Sequence, residues 1–139
     1  MRRIAKGLTA VALVLVPACG GSDANPLAAF AGTWSLTAYG EQGDTVASSV
    51  LVASEDAEGW TFAFPEREPI ALHIVSTDGD SVVTRSDTYE SVLEAGVQVT
   101  TEVVLRVQGD QLTGRWLAHR TVMGPDSVLR GMLRGRRLP

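Results

Sequence analysis

From Thr33 to Leu138 apolar and polar residues alternate with a period of two, and a strand with one buried face is what satisfies that pattern. Trp34, Leu36 and Ala38 alternate with Thr33, Ser35 and Thr37. Val46, Val50 and Val52 share a parity, as do Trp60, Phe62 and Phe64, and again Ile70, Leu72 and Ile74. The longest case sets Val97, Val99, Thr101, Val103, Leu105 and Val107 against Gln98, Thr100, Glu102 and Arg106. Leu112, Gly114, Trp116 and Ala118 follow, then a last run from Ser127 to Leu138.

Turn chemistry separates these runs. Gly43-Asp44, Gly79-Asp80 and Gly109-Asp110 each precede a new strand, and Gly124-Pro125-Asp126 does the same. Glycine accepts positive φ, and aspartate bonds its own neighbouring backbone. Eight strands are expected near 32–40, 44–54, 58–64, 69–77, 80–92, 96–108, 111–122 and 126–138. An all-β, antiparallel up-and-down meander follows. An open sheet of this kind leaves edges free to pair with other chains, so closure into a barrel or half-barrel is expected. An eight-stranded barrel is either filled by side chains or holds one small ligand.

The first residues obey a different rule. Arg2, Arg3 and Lys6 precede the apolar run Leu8–Val16, and Pro17-Ala18-Cys19-Gly20 follows it. Such an order is that of an export signal, and the run is short of the roughly 20 apolar residues a bilayer span needs. Cys19 is the only cysteine, so no disulfide forms within the chain. Val16-Pro17-Ala18-Cys19 resembles the lipobox of bacterial lipoproteins, with an aliphatic residue three before the cysteine and alanine one before it. Pro17 departs from the usual small residue. The resemblance implies cleavage before Cys19 and acylation there, and two or three acyl chains hold a protein to a membrane stably. Gly20 after the cysteine, rather than an acid, resembles lipoproteins sorted to an outer membrane where the host has two. The chain then divides into a signal peptide (1–18), a lipid-anchored tether (19–29) and a barrel domain (30–139), placed in the cell envelope.

Charge narrows the partners. The whole chain carries 16 acids and 12 bases. Loss of Arg2, Arg3 and Lys6 on processing leaves nine bases and a formal charge of −7. Seven of those nine are arginines from Arg106 onward, facing only Asp110 and Asp126 in that stretch. Pairing with the acidic strands beside them is the expected role; anionic head groups or polysaccharide are the alternative. An acidic exported chain with no aromatic-basic motif gives no support to nucleic-acid binding.

Phe30-Ala31-Gly32-Thr33-Trp34 resembles the start of the calycins, the group of lipocalins and fatty-acid-binding proteins, whose first strand opens on Gly-x-Trp. The resemblance implies a lipocalin-like barrel with Trp34 plugging one end and a last-strand arginine lying across it. Arg130, Arg134 and Arg136 are the candidates, and spacing does not choose among them. The second lipocalin motif is only approximated, by Ser86-Asp87-Thr88-Tyr89. Gly40-Glu41-Gln42-Gly43 leaves no room for the helical lid of fatty-acid-binding proteins.

No catalytic residue is assigned. His73 and His119 both sit opposite the apolar parity, and their spacing from the acids makes no metal site. There is no Gly-x-Ser-x-Gly elbow and no phosphate-binding glycine loop before a helix. No cofactor is expected. The expected function is that of a non-enzymatic, membrane-tethered barrel whose lumen binds a small hydrophobic ligand, with Trp34, Phe62, Phe64 and Trp116 as its lining. The alternative is a structural or interaction domain with a filled core that contacts an envelope partner.

Overall fold

A computed structural model of the protein describes residues 25–121 and 128–139. Cys19, the leader before it and the Gly124-Pro125-Asp126 turn lie outside these residues. Among the described residues there are nine antiparallel strands: β1 (Gly32–Gly40), β2 (Thr45–Ala53), β3 (Thr61–Ala63), β4 (Ile70–Asp78), β5 (Ser81–Ser86), β6 (Tyr89–Glu90), β7 (Gln98–Gln108), β8 (Gln111–Arg120) and β9 (Val128–Arg137). Their order in the sheet is β5-β4-β3-β2-β1-β9-β8-β7-β6, and β5 also pairs with β7. That last pairing closes eight strands into a barrel. Closure leaves the short β6 as a ninth strand on β7, beyond the end of β5.

The glycine-aspartate turns explain the tight hairpins. Asp78 faces Ser81 and Gln108 faces Gln111, which leaves Gly79-Asp80 and Gly109-Asp110 as two-residue loops. Gly79 and Gly109 take φ of 60° and 63°, and the aspartates after them do not. Positive φ at the first loop position alone is the requirement of a II′ turn, whose twist matches that of the strands.

The expected single strand 80–92 is broken. Val82, Thr84 and Ser86 point inward, then Asp87-Thr88 interrupts the ladder and Tyr89 takes the inward position. Ser86 Oγ accepts the Thr101 backbone N–H at 2.8 Å, while the Asp87 N–H extends the β4–β5 register to the Ala71 carbonyl at 3.0 Å. One extra residue therefore shifts the alternation by one, as a bulge does.

The parity of β2 is also corrected. Leu51 and Ala53 are the buried residues there, whereas Val50 and Val52 lie on the outer wall, 39% and 42% exposed. Trp34 faces Leu51 across the β1–β2 ladder, and directly paired residues share a face. Thr45, Val46 and Ala47 meet only Tyr39 and Ala38, and this irregularity swings Val46 toward the interior. Valine alone does not mark the inside, because much apolar surface stays exposed in any protein.

β3 is three residues long, against an expected seven, and pairs β2 only at Val50, Leu51 and Val52. On the side away from β1, Thr45–Ser49 of β2 has no strand partner among the described residues.

The two barrel ends differ. At one, a 3₁₀ turn (Ala28–Phe30) lays Phe30 and Leu27 over the core, and Phe30 meets Trp60 with ring centroids 5.7 Å apart. Asn25 Nδ2 donates to the Glu55 carbonyl at 2.7 Å, so the chain is already fastened to the barrel partway along the expected tether of 19–29. The opposite end carries the segment 91–97, folded back so that the Ser91 N–H donates to the Val97 carbonyl at 2.7 Å. No helix among the described residues is long and apolar enough to cross a membrane.

Candidate functional site: the barrel lumen and its plug

The plug is built from the first and last strands. Trp34 is fully buried, and its Nε1–H donates to the Phe30 carbonyl at 2.7 Å. Arg137 faces Trp34 across the β1–β9 ladder and lays its guanidinium 4.2 Å from the ring centroid. The same guanidinium donates to the carbonyls of Ala31 at 2.6 Å and Ala29 at 3.0 Å, and to Asp110 Oδ1 at 3.2 Å. A cation–π contact with a partly exposed cation is worth about 1 kcal/mol, and through it and these hydrogen bonds Arg137 ties the entering chain, the ring and the β7–β8 turn together. Gly32 makes room: a Cβ there would stand 2.8 Å from Arg137 Nη1, at a φ of +132°.

Arg130, Arg134 and Arg136 are thus not the partners of Trp34. They share the even parity of β9 and point outward, opposite Leu117, Thr113 and Gln111 on β8. The inward positions are Leu129, Gly131, Leu133, Gly135 and Arg137. Parity alone separates the two sets once Trp34 and Arg137 are seen to be paired.

Above the plug the barrel encloses a cavity of about 80 Å³. A single water needs roughly 10–15 Å³, so the void suits a slender ligand. Leu36, Leu51, Leu72, Leu105 and Leu133 form much of the apolar wall. Phe62, Phe64 and Trp116, expected in the lining, are there; Trp34 is not, since it lies beneath Arg137.

Trp116 enters over a strand that gives way to it. It is paired with Gly131, where any Cβ would meet the Tyr39 carbonyl oxygen and the indole itself. Its Nε1–H donates to that Tyr39 carbonyl at 3.1 Å, so the indole leaves no polar atom unbonded in the cavity. Phe62 packs edge-on against Phe64 and against Tyr89, with centroids 5.3 and 5.5 Å apart.

Sequence reasoning missed the polar side of the cavity. Tyr89 Oη and Thr101 Oγ1 lie 2.6 Å apart, and the buried Ser91 accepts the N–H groups of Leu93 and Glu94. Burial pushes the Tyr89 hydroxyl above its ordinary range, against smaller opposing effects from Thr101 and the Arg67 charge. Tyr89 is consequently a neutral donor and acceptor inside an apolar chamber. The alternation that should have shown it was displaced by the break at Asp87-Thr88. Val92 and Leu93 of the 91–97 segment complete the lining. Arg120 holds that segment down through Glu94 at 2.7 Å.

His73 and His119 lie on the outer wall, and His73 Nε2 meets Asp87 Oδ1 at 2.7 Å in water. Among the described residues there is no group of three or more metal-ligating side chains. Of the C-terminal arginines, Arg106, Arg120, Arg130 and Arg137 pair with Asp80, Glu94, Glu41 and Asp110. Comparison with protein-family models, curated proteins and solved structures finds no match to this chain.

Proposed function

We propose that this protein is a lipid-anchored envelope protein of the lipocalin-like kind, without catalysis, whose barrel takes up a small hydrophobic molecule. The observation that carries the reading is the chamber above the plug, apolar on most sides with a few convergent polar groups. Such a combination suits a ligand that is mostly hydrocarbon. The Gly32–Trp34–Arg137 plug supports kinship with the lipocalin-like barrels, because it supplies the contact that the Gly-x-Trp resemblance implies. Anchoring rests on Val16-Pro17-Ala18-Cys19 alone.

Two experiments test the reading. Native mass spectrometry of the protein purified from its own envelope, before and after denaturation and refolding, is expected to reveal a small molecule lost in the second sample. Rebinding of a fluorescent medium-chain probe should follow. For the anchor, globomycin treatment should accumulate the uncleaved precursor; an unchanged, unacylated product rules the anchor out.

The alternative, an interaction domain meeting an envelope partner, draws on the outer wall of β8 and β9. Met132 is 52% exposed there, directly opposite Arg115, between Arg130 and Arg134 on its own strand. Loss of a co-purifying protein on Met132→Asp, with probe binding intact, favours that reading.

A further inference from the structure

The strand pairing of the barrel wall is incomplete between β2 and β3 among the described residues. β2 runs alongside β1 as far as Thr45, but β3 leaves it after Ala63, which opens the wall between them toward the 91–97 end. A recess of about 280 Å³ fills this gap. Val46, Ala47 and Ser48 form one bank, Phe64, Pro65 and Arg67 the other, and Val92 the roof. Val46, Ala47, Phe64 and Val92 also line the lumen, so the two spaces share a wall of four side chains.

The two spaces differ in chemistry. Among the described residues the lumen lining carries no charged side chain, whereas the recess carries one, Arg67. Its Nη1 donates to the Glu90 carbonyl at 2.6 Å and its Nη2 approaches the Ser91 carbonyl at 3.5 Å. A guanidinium has five N–H donors, and among the described residues these two carbonyls are the only hydrogen-bond partners of this one. Glu66, Glu68 and Glu90 flank Arg67 in the chain or in space but do not line the recess. The bank is held by a turn in which the Arg67 N–H donates to the Phe64 carbonyl at 3.1 Å. Glu66 occupies the left-handed position of that turn at φ 63°, a place that favours glycine or asparagine.

We infer that the gap between β2 and β3 is a side portal for a single-chain amphiphile with an anionic head, the chain lying in the lumen and the head held at Arg67. The inference rests on the lumen being a binding chamber, and adds to it the ligand's charge and its route. A planar guanidinium accepts a carboxylate or a phosphate in the same forked geometry, so the head is either. Tyr89 and Thr101 lie further in, where they meet the chain or a polar group along it.

Decanoate, decyl phosphate and decanol, titrated into the full-length protein carrying Cys19→Ser, separate the possibilities. At least one of the two anions is expected to bind about tenfold more tightly than decanol, the worth of one charge-assisted contact at a half-wet site. Arg67→Gln should remove that advantage while leaving decanol binding unchanged, and Arg67→Lys should restore part of it. Ser48→Trp, which obstructs the recess, should slow association about tenfold, whereas Ala95→Trp, on the exposed part of the 91–97 segment at the barrel mouth, should not. Equal affinity for acid and alcohol, unmoved by Arg67→Gln, overturns this inference and leaves the hydrophobic chamber standing. Slowing by Ala95→Trp but not by Ser48→Trp overturns the route. Binding of none of the three overturns the chamber, and the portal with it.

Discussion

At the residue scale the plug shows how one position outranks its neighbours. Arg134 and Arg137 are three apart on one strand, yet Arg134 is exposed while Arg137 lies on Trp34 and bonds two carbonyls. Arg137→Ala is expected to cost about 2–3 kcal/mol, from a lost cation–π contact and stranded carbonyls, discounted for partial exposure. Arg134→Ala should stay within about 0.5 kcal/mol. Urea unfolding midpoints check both, and equal losses would refute the assignment. The plug was half legible in the sequence. Gly32 and Trp34 announced themselves, but their arginine could be chosen only from the β1–β9 register, which composition does not encode. Tyr89 gives a second residue-scale prediction. Its hydroxyl has a folded pKa raised above the ordinary 10.0 by burial, so folding favours the protonated form. That contribution is complete below pH 10 and is lost as pH rises through the folded value. Stability should therefore fall above pH 10, and Tyr89→Phe should flatten the decline. An identical slope in both proteins would place the effect elsewhere.

At the element scale the strands were largely legible and the irregularities were not. β1, β7 and β8 follow their alternation within two residues, because one face of each is buried along its length and Gly-Asp turns punctuate the ends. β2 misled because Val50 and Val52 face water while the smaller signal of Leu51 and Ala53 carries the core. Leu51→Ala should cost about 2–5 kcal/mol by loss of buried surface and the void it leaves, whereas Val50→Thr should be nearly neutral. Thermal unfolding of the two variants decides between the parities. Where β3 ends, and where β5 gives way to β6, depends on hydrogen bonds that leave the ladder, such as Thr101 N–H to Ser86 Oγ. No periodicity predicts such a departure. The turn after β3 has its own consequence. Glu66 holds a left-handed conformation that strains a branched or long side chain by about 1 kcal/mol, and asparagine tolerates it. Glu66→Asn should accordingly raise stability by about 0.5–1 kcal/mol, read from the denaturation midpoint. No gain would mean that the Glu66 carboxylate compensates for the strain through its neighbours.

At the scale of the whole molecule the question is whether the interior is a core or a container, and the two make opposite predictions for one substitution. Ala118 points into the lumen from β8, between Trp116 and the mouth, and lies across from Thr101 on β7 and Leu129 on β9. In a filled barrel, Ala118→Leu forces three extra carbons into occupied space, and overpacking costs about 1–3 kcal/mol. In a hollow one the leucine enters free volume and gains contacts that alanine lacks. At about 0.8 kcal/mol for each buried methylene, less the side-chain entropy, the variant should be more stable by about 1 kcal/mol. It should also lose the binding of decanol, because the added carbons occupy the space the ligand needs. A gain in stability joined to a loss of binding is the signature of a site kept empty against the interest of the fold. The closure of the strand ring through β5 and β7 is what makes the comparison sharp. With β5 paired to β7 the ring cannot flatten to absorb the new side chain, so the substitution must be met by the space already present or by strain. A destabilised Ala118→Leu that still binds decanol would reverse the assignment, placing the ligand outside the lumen and the packing limit within it.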